Sequence, residues 1–374
     1  LYGDQHPLLG QRLHLPGSDE LRFVSELDSG RLVYLNEHGL GGQLVVPGAS
    51  HVAMVLEALA QLDGEAHCSV NEVNFQQPLL LPASGKVTVQ LILSPQDEGN
   101  YHFELTSLDV SVNAWVVNAD GEAHRSLTDV DTSTLDIRAL QRWPQGVAPD
   151  DFYAAYAERG YELGDSYRWL GEGWTQHGRT LRRLVLPTLQ DDANAYRFYP
   201  GLLDGCFQAV ASVLIDGGEV ESGTGMLLPF SLGQLTLLRQ PSLEAELYCY
   251  VELIRQSGRG ESIVADIQLL DRDGLVARIS GFQSRLVLAE VLSLERPFAK
   301  QHIYQPHWPL SSLATDGSWP HETPGSWLLV GDNELNAPLD ALLSAKGEQV
   351  VTVPGSDFTA VLDDMVAQNY PVLR

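Results

Sequence analysis

The sequence predicts an α+β protein made of two copies of one unit, each a long apolar helix wrapped by an antiparallel sheet. The first helical run spans His51 to Leu62 and follows Pro47-Gly48. The second spans Leu202 to Ile215 and follows Pro200-Gly201. Their apolar residues fall on helical stripes, and the two Pro-Gly pairs stand 153 positions apart. Because both runs are strongly apolar, we expect each helix to be enclosed by its sheet.

Strand patterns and a turn signal follow each helix. Apolar residues alternate from Val87 to Leu93 in the first half and from Leu243 to Leu253 in the second, which is typical of half-buried strands. Asp120-Gly121 and Asp273-Gly274 favour hairpin turns and are again 153 positions apart. Two landmarks at one spacing indicate an internal duplication. The alternative is two adjacent α+β domains without any special relation.

The duplication divides the chain into five segments. They are an N-terminal unit, a linker, a C-terminal unit, a second linker and a partial β-α-β segment, predicted at residues 1–127, 128–149, 150–290, 291–325 and 326–374. Within the C-terminal unit, Asp150 is expected to cap a short helix from Asp151 to Arg159 that Gly160 ends.

The last segment is predicted to be a partial, Rossmann-like α/β unit. Trp327 to Val330 and Val350 to Val353 favour buried strands. Between them, Leu339 to Ala345 favours a helix that Gly347 ends. The turn after the first strand lacks the pattern Gly-x-Gly-x-x-Gly, so we expect no dinucleotide there.

Composition excludes several kinds of partner. The formal net charge is −26 at pH 7, which predicts no binding to nucleic acid or to anionic membranes. No apolar run approaches the roughly 18 residues that a membrane helix needs. The cysteines have neither metal-binding nor disulfide spacing, which favours a reducing, cytoplasmic location. They are Cys68, Cys206 and Cys249.

His38 is the first candidate for chemistry. It begins the glycine-rich stretch His38-Gly39-Leu40-Gly41-Gly42, which leads through Pro47-Gly48 to the first long helix. Glycines permit tight backbone geometry and the close approach of a ligand. Amides at a helix N-terminus can hydrogen-bond a carbonyl oxygen that gains negative charge. This setting favours a base beside an oxyanion site, whereas a histidine taken alone is more often structural.

Asp204 is the second candidate. It lies in the first turn of the second helix, and Gln208 follows it at i+4 on the same face. An acidic residue is common in a first turn for structural reasons, and the helix dipole lowers its pKa. Burial beside Leu203 and Phe207 acts in the opposite direction, and the sequence leaves the balance open. If the two halves face each other, His38 and Asp204 can supply the base and the acid of a β-elimination.

Two further features are expected to lie near this site. In the stretch from Gly160 to Tyr167, a phenol can hydrogen-bond a leaving hydroxyl, although an ordinary packed turn explains the same residues. His51, on a mostly apolar helix, is expected to be a core residue or part of a tunnel wall.

Four ordered motifs resemble the dehydratase domain of a modular type I polyketide synthase, a double hotdog fold. The resemblance covers about residues 1–290. The motifs are His6-Pro7-Leu8-Leu9-Gly10, His-x-x-x-Gly-x-x-x-x-Pro from His38 to Pro47 with Gly42 in the glycine place, Asp-x-x-x-Gln from Asp204 to Gln208, and Leu228-Pro229-Phe230. Residues 326–374 resemble the start of a truncated, cofactor-free reductase-like segment that follows such domains.

The resemblance implies a function for each part of the site. His38 would remove the α-proton of a β-hydroxyacyl thioester, Asp204 would protonate the departing hydroxyl, and Gln208 would orient Asp204. The substrate would be carried on the phosphopantetheine of an acyl carrier protein, with no other cofactor and no metal. The expected partners are other domains of one megasynthase, in a homodimer. Supporting residues would be Gly42, Pro47 and Gly48, and the substrate tunnel would include Tyr161, Leu163, Tyr167 and Pro229.

One motif departs from the family. Where relatives have Tyr-Gly-Pro-x-Phe, this chain has Leu163-Gly164-Asp165-Ser166-Tyr167. The missing tyrosine hydroxyl leaves room for a bifunctional enzyme that also shifts the double bond or closes a cyclic ether. Two other possibilities remain open, a non-catalytic scaffold within the synthase and a hotdog thioesterase. The Gly-rich histidine stretch fits removal of an α-proton better than it fits thioester hydrolysis.

Overall fold

The computed structural model describes residues 6–63, 68–82, 85–125, 134–189, 191–216, 225–257, 262–287, 326–330 and 333–353. The chain divides into two compact units, residues 1–302 and 303–374. The first unit contains both halves of the predicted duplication.

The first half contains the long helix α1 (Gly48–Asp63). Its strands are β1 (Gln11–Leu13), β2 (Leu21–Asp28), β3 (His38–Leu40), β4 (Gln43–Val46), β5 (Cys68–Phe75), β6 (Leu79–Leu80), β7 (Lys86–Pro95), β8 (Asn100–Asp109) and β9 (Ala114–His124). The helix begins directly after Pro47, whose fixed φ and missing N–H suit a helix entry.

The second half contains two short helices, α2 (Ile137–Leu140) and α3 (Pro149–Glu158), and one long helix, α4 (Pro200–Asp216). Its strands are β10 (Tyr161–Leu163), β11 (Leu170–Gln176), β12 (Arg179–Leu184), β13 (Met226–Leu237), β14 (Leu247–Ser257), β15 (Ser262–Asp271) and β16 (Gly274–Val287). Every residue of α4 from Pro200 to Leu214 is buried, so this helix is enclosed as predicted.

The sheet topology confirms the duplication. Twelve strands form one antiparallel sheet in the order β1-β2-β7-β8-β9-β5-β13-β16-β15-β14-β12-β11. Read outward from the β5–β13 junction, each half lays its strands in the same order. The two predicted sheets are therefore joined into one, because β5 and β13 pair from Cys68↔Leu237 to Asn74↔Ser231 and cover each other's edges.

One of the two hairpin predictions is wrong. Asp273-Gly274 does lie where β15 turns into β16, but Asp120-Gly121 lies inside β9. Gly121 pairs with Phe103 of β8, and a Cβ on Gly121 would be 2.9 Å from both the Phe103 ring and the Asn71 carbonyl oxygen. Gly121 therefore allows the Phe103 ring and the Asn71 carbonyl to pack closely against the backbone of β9. The shared spacing of 153 was a coincidence for this landmark, since β7 and β14 begin 161 positions apart.

Three smaller boundaries also differ from the prediction. Leu243 and Ala245 precede β14, in a turn where the Ala245 N–H donates to the Ser242 carbonyl. Helix α3 begins at Pro149, so Asp150 stands in its first turn rather than at its cap. The linker predicted at 128–149 contains α2 in its described part, and its residues 128–133 lie outside the described residues.

The second compact unit shows a β-α-β arrangement. Strands β17 (Ser326–Val330) and β18 (Gln349–Val353) pair in parallel, and helix α5 (Asn333–Ala345) connects them. The helix begins six positions earlier than predicted and contains Pro338 in its interior. Gly347, with φ of +84°, follows its end. The predicted linker 291–325 lies outside the described residues, and the likeness of this unit to a reductase remains a prediction.

Gly201, in the first turn of α4, is expected to tolerate no side chain. A Cβ there would collide with the Ser166 carbonyl oxygen and lie 2.8 Å from the Tyr199 ring. Alanine is the better helix former by about 1 kcal/mol, but overpacking costs about 1–3 kcal/mol. We therefore expect Gly201→Ala to lower the free energy of unfolding, measured in urea. A stabilised Gly201→Ala variant would contradict the close packing.

Candidate active site

The glycine-rich stretch after His38 forms a hairpin. Strands β3 and β4 pair through Gly39↔Leu44 and Leu40↔Gln43, which leaves Gly41 and Gly42 as a two-residue turn. Both glycines have positive φ, +58° and +80°, as the tight turn between two strands requires. The hairpin thus fixes His38 at the start of β3 and leads the chain directly into α1.

One hydrogen bond fixes the tautomer of His38. Its Nδ1 lies 2.8 Å from the Val45 carbonyl oxygen in β4. A carbonyl oxygen can only accept, so Nδ1 carries the hydrogen and Nε2 is left with a free lone pair. The side chain is buried, with 7% of its surface exposed. His38 is therefore oriented, and its Nε2 can act as a base.

A small second sheet brings the two halves together at His38. Its strand order is β10-β3-β4-β6, and β10, from the second half, pairs Leu163 directly with His38. The Glu37 carbonyl accepts from the Gly164 N–H at 2.8 Å, and its carboxylate accepts from the Ser166 N–H at 2.7 Å. The altered family motif consequently lies directly beside His38.

Asp204 is held by a chain of hydrogen bonds from α4 to α3. Gln208 donates from Nε2 to the Asp204 carboxylate at 2.7 Å and to the Tyr167 carbonyl at 3.0 Å. The Tyr153 hydroxyl in turn donates to Gln208 Oε1 at 3.2 Å and accepts from the Leu170 N–H at 3.1 Å. Because Oε1 is occupied by a donor, the amide of Gln208 presents its N–H to Asp204.

Burial decides the acidity of Asp204. It raises the pKa of this carboxyl above its usual range, because an apolar environment disfavours the charged form. The electrostatic influence of the nearby His38 and the hydrogen bond from Gln208 act in the opposite direction and lower the pKa by less. Burial therefore outweighs the effects that lower the pKa of Asp204, and this carboxyl retains its proton to higher pH than an ordinary aspartate.

His38 and Asp204 line one cavity of about 120 Å³. Its wall is mostly apolar and aromatic. It is lined by His38, Leu40, Val45, Val46, Pro47, Gly48, His51, Phe75, Gln77, Pro78, Tyr156, Tyr161, Leu163, Asp204, Phe207, Gln208, Leu227, Leu228, Pro229, Phe282 and Ser284. Eight of the ten residues predicted from the sequence are among them.

The two others lie outside the cavity wall. Gly42 stands in the β3–β4 turn, where its positive φ shapes the hairpin. Tyr167, expected to line the tunnel, is fully buried behind it, with its ring centroid 4.9 Å from that of His38. Tyr167 lies in the turn that follows β10, where its ring packs on His38 and its carbonyl accepts from Gln208.

Sequence reasoning missed the contribution of α3. Tyr153 orients Gln208, and Tyr156, three residues later, lines the cavity and stacks on Tyr161 with ring centroids 4.1 Å apart. The Tyr161 hydroxyl donates to the Leu227 carbonyl at 2.8 Å. The i, i+3 spacing of the two tyrosines did indicate a common face of α3, but nothing in the sequence showed what that face contacts.

Two helices wrapped by one duplicated sheet, with a cavity between paired elements of both halves, define a double hotdog protein. Residues 6–108 match the family profile described as "Polyketide synthase dehydratase domain", and residues 131–293 match "Polyketide synthase dehydratase N-terminal domain". The solved dehydratase domain from the CurJ module of curacin polyketide synthase is 30% identical, with a TM-score of 0.69 over 76% of this chain and 99% of that one. This chain belongs to the polyketide synthase dehydratase family, a class of hydro-lyases.

Full-length relatives are much longer than this chain. Mycoketide-CoA synthase of Mycobacterium tuberculosis is 30% identical over 62% of this chain, a match that spans 5% of that synthase. Polyketide synthase GfsE of Streptomyces halstedii is 27% identical over 81% of this chain, which corresponds to 8% of GfsE. Among the described residues, no helix has the length and apolar character needed to cross a membrane.

Replacing Gln208 is expected to move the pH profile of dehydration. Gln208→Met removes a donor that favours the charged Asp204, so the pKa of Asp204 rises further. An acid works only while protonated, and activity falls as the pH rises through its pKa. The alkaline limb of kcat/KM should therefore move to higher pH. Cys206→Ala, buried on the same helix outside the cavity, is the control and should leave this limb in place. A downward shift for Gln208→Met would contradict the assignment.

Proposed function

We propose that this domain eliminates water from a β-hydroxyacyl thioester carried on the phosphopantetheine of an acyl carrier protein. The proposal rests on the different protonation of two groups, His38 and Asp204, that line one cavity. His38 donates from Nδ1 to Val45 and keeps Nε2 free as a base, while burial favours the protonated form of Asp204. A base and an acid on one substrate are what β-elimination requires.

The elimination uses only groups of this chain. Nε2 of His38 takes the α-proton, and the electron pair left on the α-carbon forms the new double bond as the bond from the β-carbon to oxygen breaks. Asp204 gives its proton to the departing oxygen, which leaves as water. His38 ends protonated and Asp204 ends charged, so one proton must return from His38 to Asp204 before the next turnover. General acid–base catalysis of this type contributes roughly 10²–10⁴-fold.

The N-terminus of α1 is the proposed oxyanion site. Negative charge develops on the thioester carbonyl oxygen as the α-proton leaves. Gly48 begins the helix and lines the cavity, and its backbone N–H lies at the positive end of the helix dipole. One such donor contributes on the order of 10²–10³-fold. Gly48 also needs to be glycine, because a Cβ would lie 2.8 Å from the Phe75 ring.

The surroundings fit a carrier-bound acyl chain. The wall is formed largely by Val46, Phe207, Leu227 and Phe282, which suits the hydrocarbon part of such a substrate. We further propose that the domain works with an acyl carrier protein and other domains of one megasynthase, as a homodimer in the cytoplasm. The relatives support the setting, because this chain matches only short sections of large polyketide synthases. A His-to-Phe mutant of the CurJ dehydratase is inactive, which supports a histidine base.

Mass spectrometry of a carrier-bound β-hydroxyacyl substrate tests the proposal. With wild type we expect the loss of one water, about 18 Da, and with His38→Phe or Asp204→Asn no loss, because base or acid is missing. His102→Phe is a control, since His102 lies on β8 outside the cavity and contacts Glu122. Release of the free acid would instead indicate a thioesterase. An unchanged substrate mass with the wild-type domain and every diastereomer of the substrate would contradict the proposal.

A second candidate is dehydration followed by migration of the double bond or formation of a cyclic ether. Leu163 favours it, because this apolar residue lines the cavity and pairs with His38 where relatives have a tyrosine. Without that hydroxyl, the leaving oxygen has one donor fewer. A neutral hydrogen bond contributes about 0.5–1.5 kcal/mol.

Introducing a tyrosine hydroxyl at position 163, where relatives have one, tests this candidate. With a substrate that bears γ-protons, Leu163→Tyr should increase the proportion of α,β-enoyl product over the shifted product, measured by chromatography. Leu163→Phe is the matched control, because it adds the same ring without the hydroxyl. We expect Leu163→Tyr to dehydrate roughly three- to tenfold faster than Leu163→Phe. Equal product ratios and rates for the two variants would show that the hydroxyl has no part in the chemistry.

A further inference from the structure

His51 is a buried polar group for which the elimination has no use. It lies on α1 three residues after Gly48 and lines the same cavity as His38 and Asp204. Only 3% of its surface is exposed, and its ring centroid is 6.2 Å from that of Phe75. Neither ring nitrogen has a hydrogen-bond partner among the described residues. Buried polar atoms are rarely left unpaired, so a partner supplied by the ligand would complete this site.

The duplication gives His51 a counterpart. When the two Pro-Gly pairs are aligned, His51 takes the position of Asp204, and both side chains reach the cavity from equivalent places on α1 and α4. The residue that holds Asp204, Gln208, corresponds to Val55, which cannot hydrogen-bond. The helix of the first half therefore presents a polar group to the cavity without an internal partner for it.

The imidazole is neutral at physiological pH. Burial lowers the pKa of His51 to about 4, because the charged form is disfavoured in the apolar wall. A neutral imidazole offers one N–H donor and one acceptor nitrogen. It can therefore bind a hydroxyl through either nitrogen or a carbonyl oxygen through its N–H, and it does not attract an anion.

We propose that His51 is a specificity-determining residue that hydrogen-bonds an oxygen of the thioester substrate away from the two reacting carbons. This inference rests on the proposed function, which places the thioester carbonyl at Gly48. Three residues make nearly one helical turn, so His51 shares a face with Gly48 and stands about 4.5 Å further along the axis. Its partner is then a neighbouring part of the same bound molecule.

Two parts of the substrate carry suitable oxygens. One is a hydroxyl on the acyl chain beyond the β-carbon, and the other is an amide carbonyl of the pantetheine arm. A cavity for a plain hydrocarbon chain would be better served by an apolar side chain, because an unpaired buried imidazole keeps the cost of its desolvation. The His51 site therefore selects thioesters that present such an oxygen to it.

Binding in a His38→Phe background tests the inference without turnover. The dissociation constants of four thioesters are compared with and without His51→Phe, which removes both ring nitrogens and keeps a ring beside Phe75. Two acyl chains differ only by a hydroxyl or a hydrogen on carbon 5. Each is attached to full pantetheine and to a short thiol that lacks the amides.

A chain hydroxyl as the partner predicts that His51→Phe weakens binding of both hydroxylated thioesters roughly three- to tenfold relative to the deoxy pair. A pantetheine amide as the partner predicts the same loss for both full-length arms relative to the short thiols. Either result supports the inference and identifies the oxygen.

An equal change for all four thioesters, or none, would overturn it. His51→Leu is the second variant and should show the same selective loss of affinity as His51→Phe. Met54→Leu, buried on α1 outside the cavity, should show neither of the two selective losses. Because binding is read without turnover, failure here is distinct from failure of the dehydration assay.

Discussion

The backbone pairing of β3 with β10 is the constraint on which the site depends. It joins His38 of the first half to Leu163 of the second, and two glycines make it possible. A Cβ on Gly39 would lie 2.8 Å from the Glu162 Cβ, and one on Gly164 would lie 2.7 Å from the Glu37 Cβ. Side chains at either position would push the strands apart. His38 would then lose its fixed place relative to Asp204 on α4.

The burial of α4 also determines the pKa of Asp204. Enclosing α4 removes Asp204 from water and raises its pKa, whereas an exposed aspartate in a first helical turn would be charged. The carboxyl must still be oriented, and buried polar groups must be paired. Gln208 and Tyr153 meet both needs with a continuous chain of hydrogen bonds that ends at the Leu170 N–H. Packing and acidity are thus two effects of one arrangement.

Much of this architecture could be predicted from the sequence, because it rests on local patterns. The apolar runs predicted both long helices, and His38, Asp204 and Gln208 do line one cavity. What failed depended on residues distant in the chain. Gly121 was read as a turn because its contact with Phe103 is formed only in the sheet. Tyr167 lies outside the cavity wall because the turn after β10 packs its ring on His38. The partner of Tyr153 is 55 positions away.

The duplication explains why one cavity can hold groups of opposite character. Both long helices begin with Pro-Gly, and each sends the side chain three residues after its glycine into the cavity. In α4 that residue is Asp204, held by Gln208; in α1 it is His51, with Val55 in place of the glutamine. An ionisable group with a hydrogen-bond partner inside the protein has a fixed orientation. A neutral polar group without such a partner can hydrogen-bond a ligand instead. In the roles proposed for Asp204 and His51, divergence of equivalent positions separates proton transfer from recognition within a single fold.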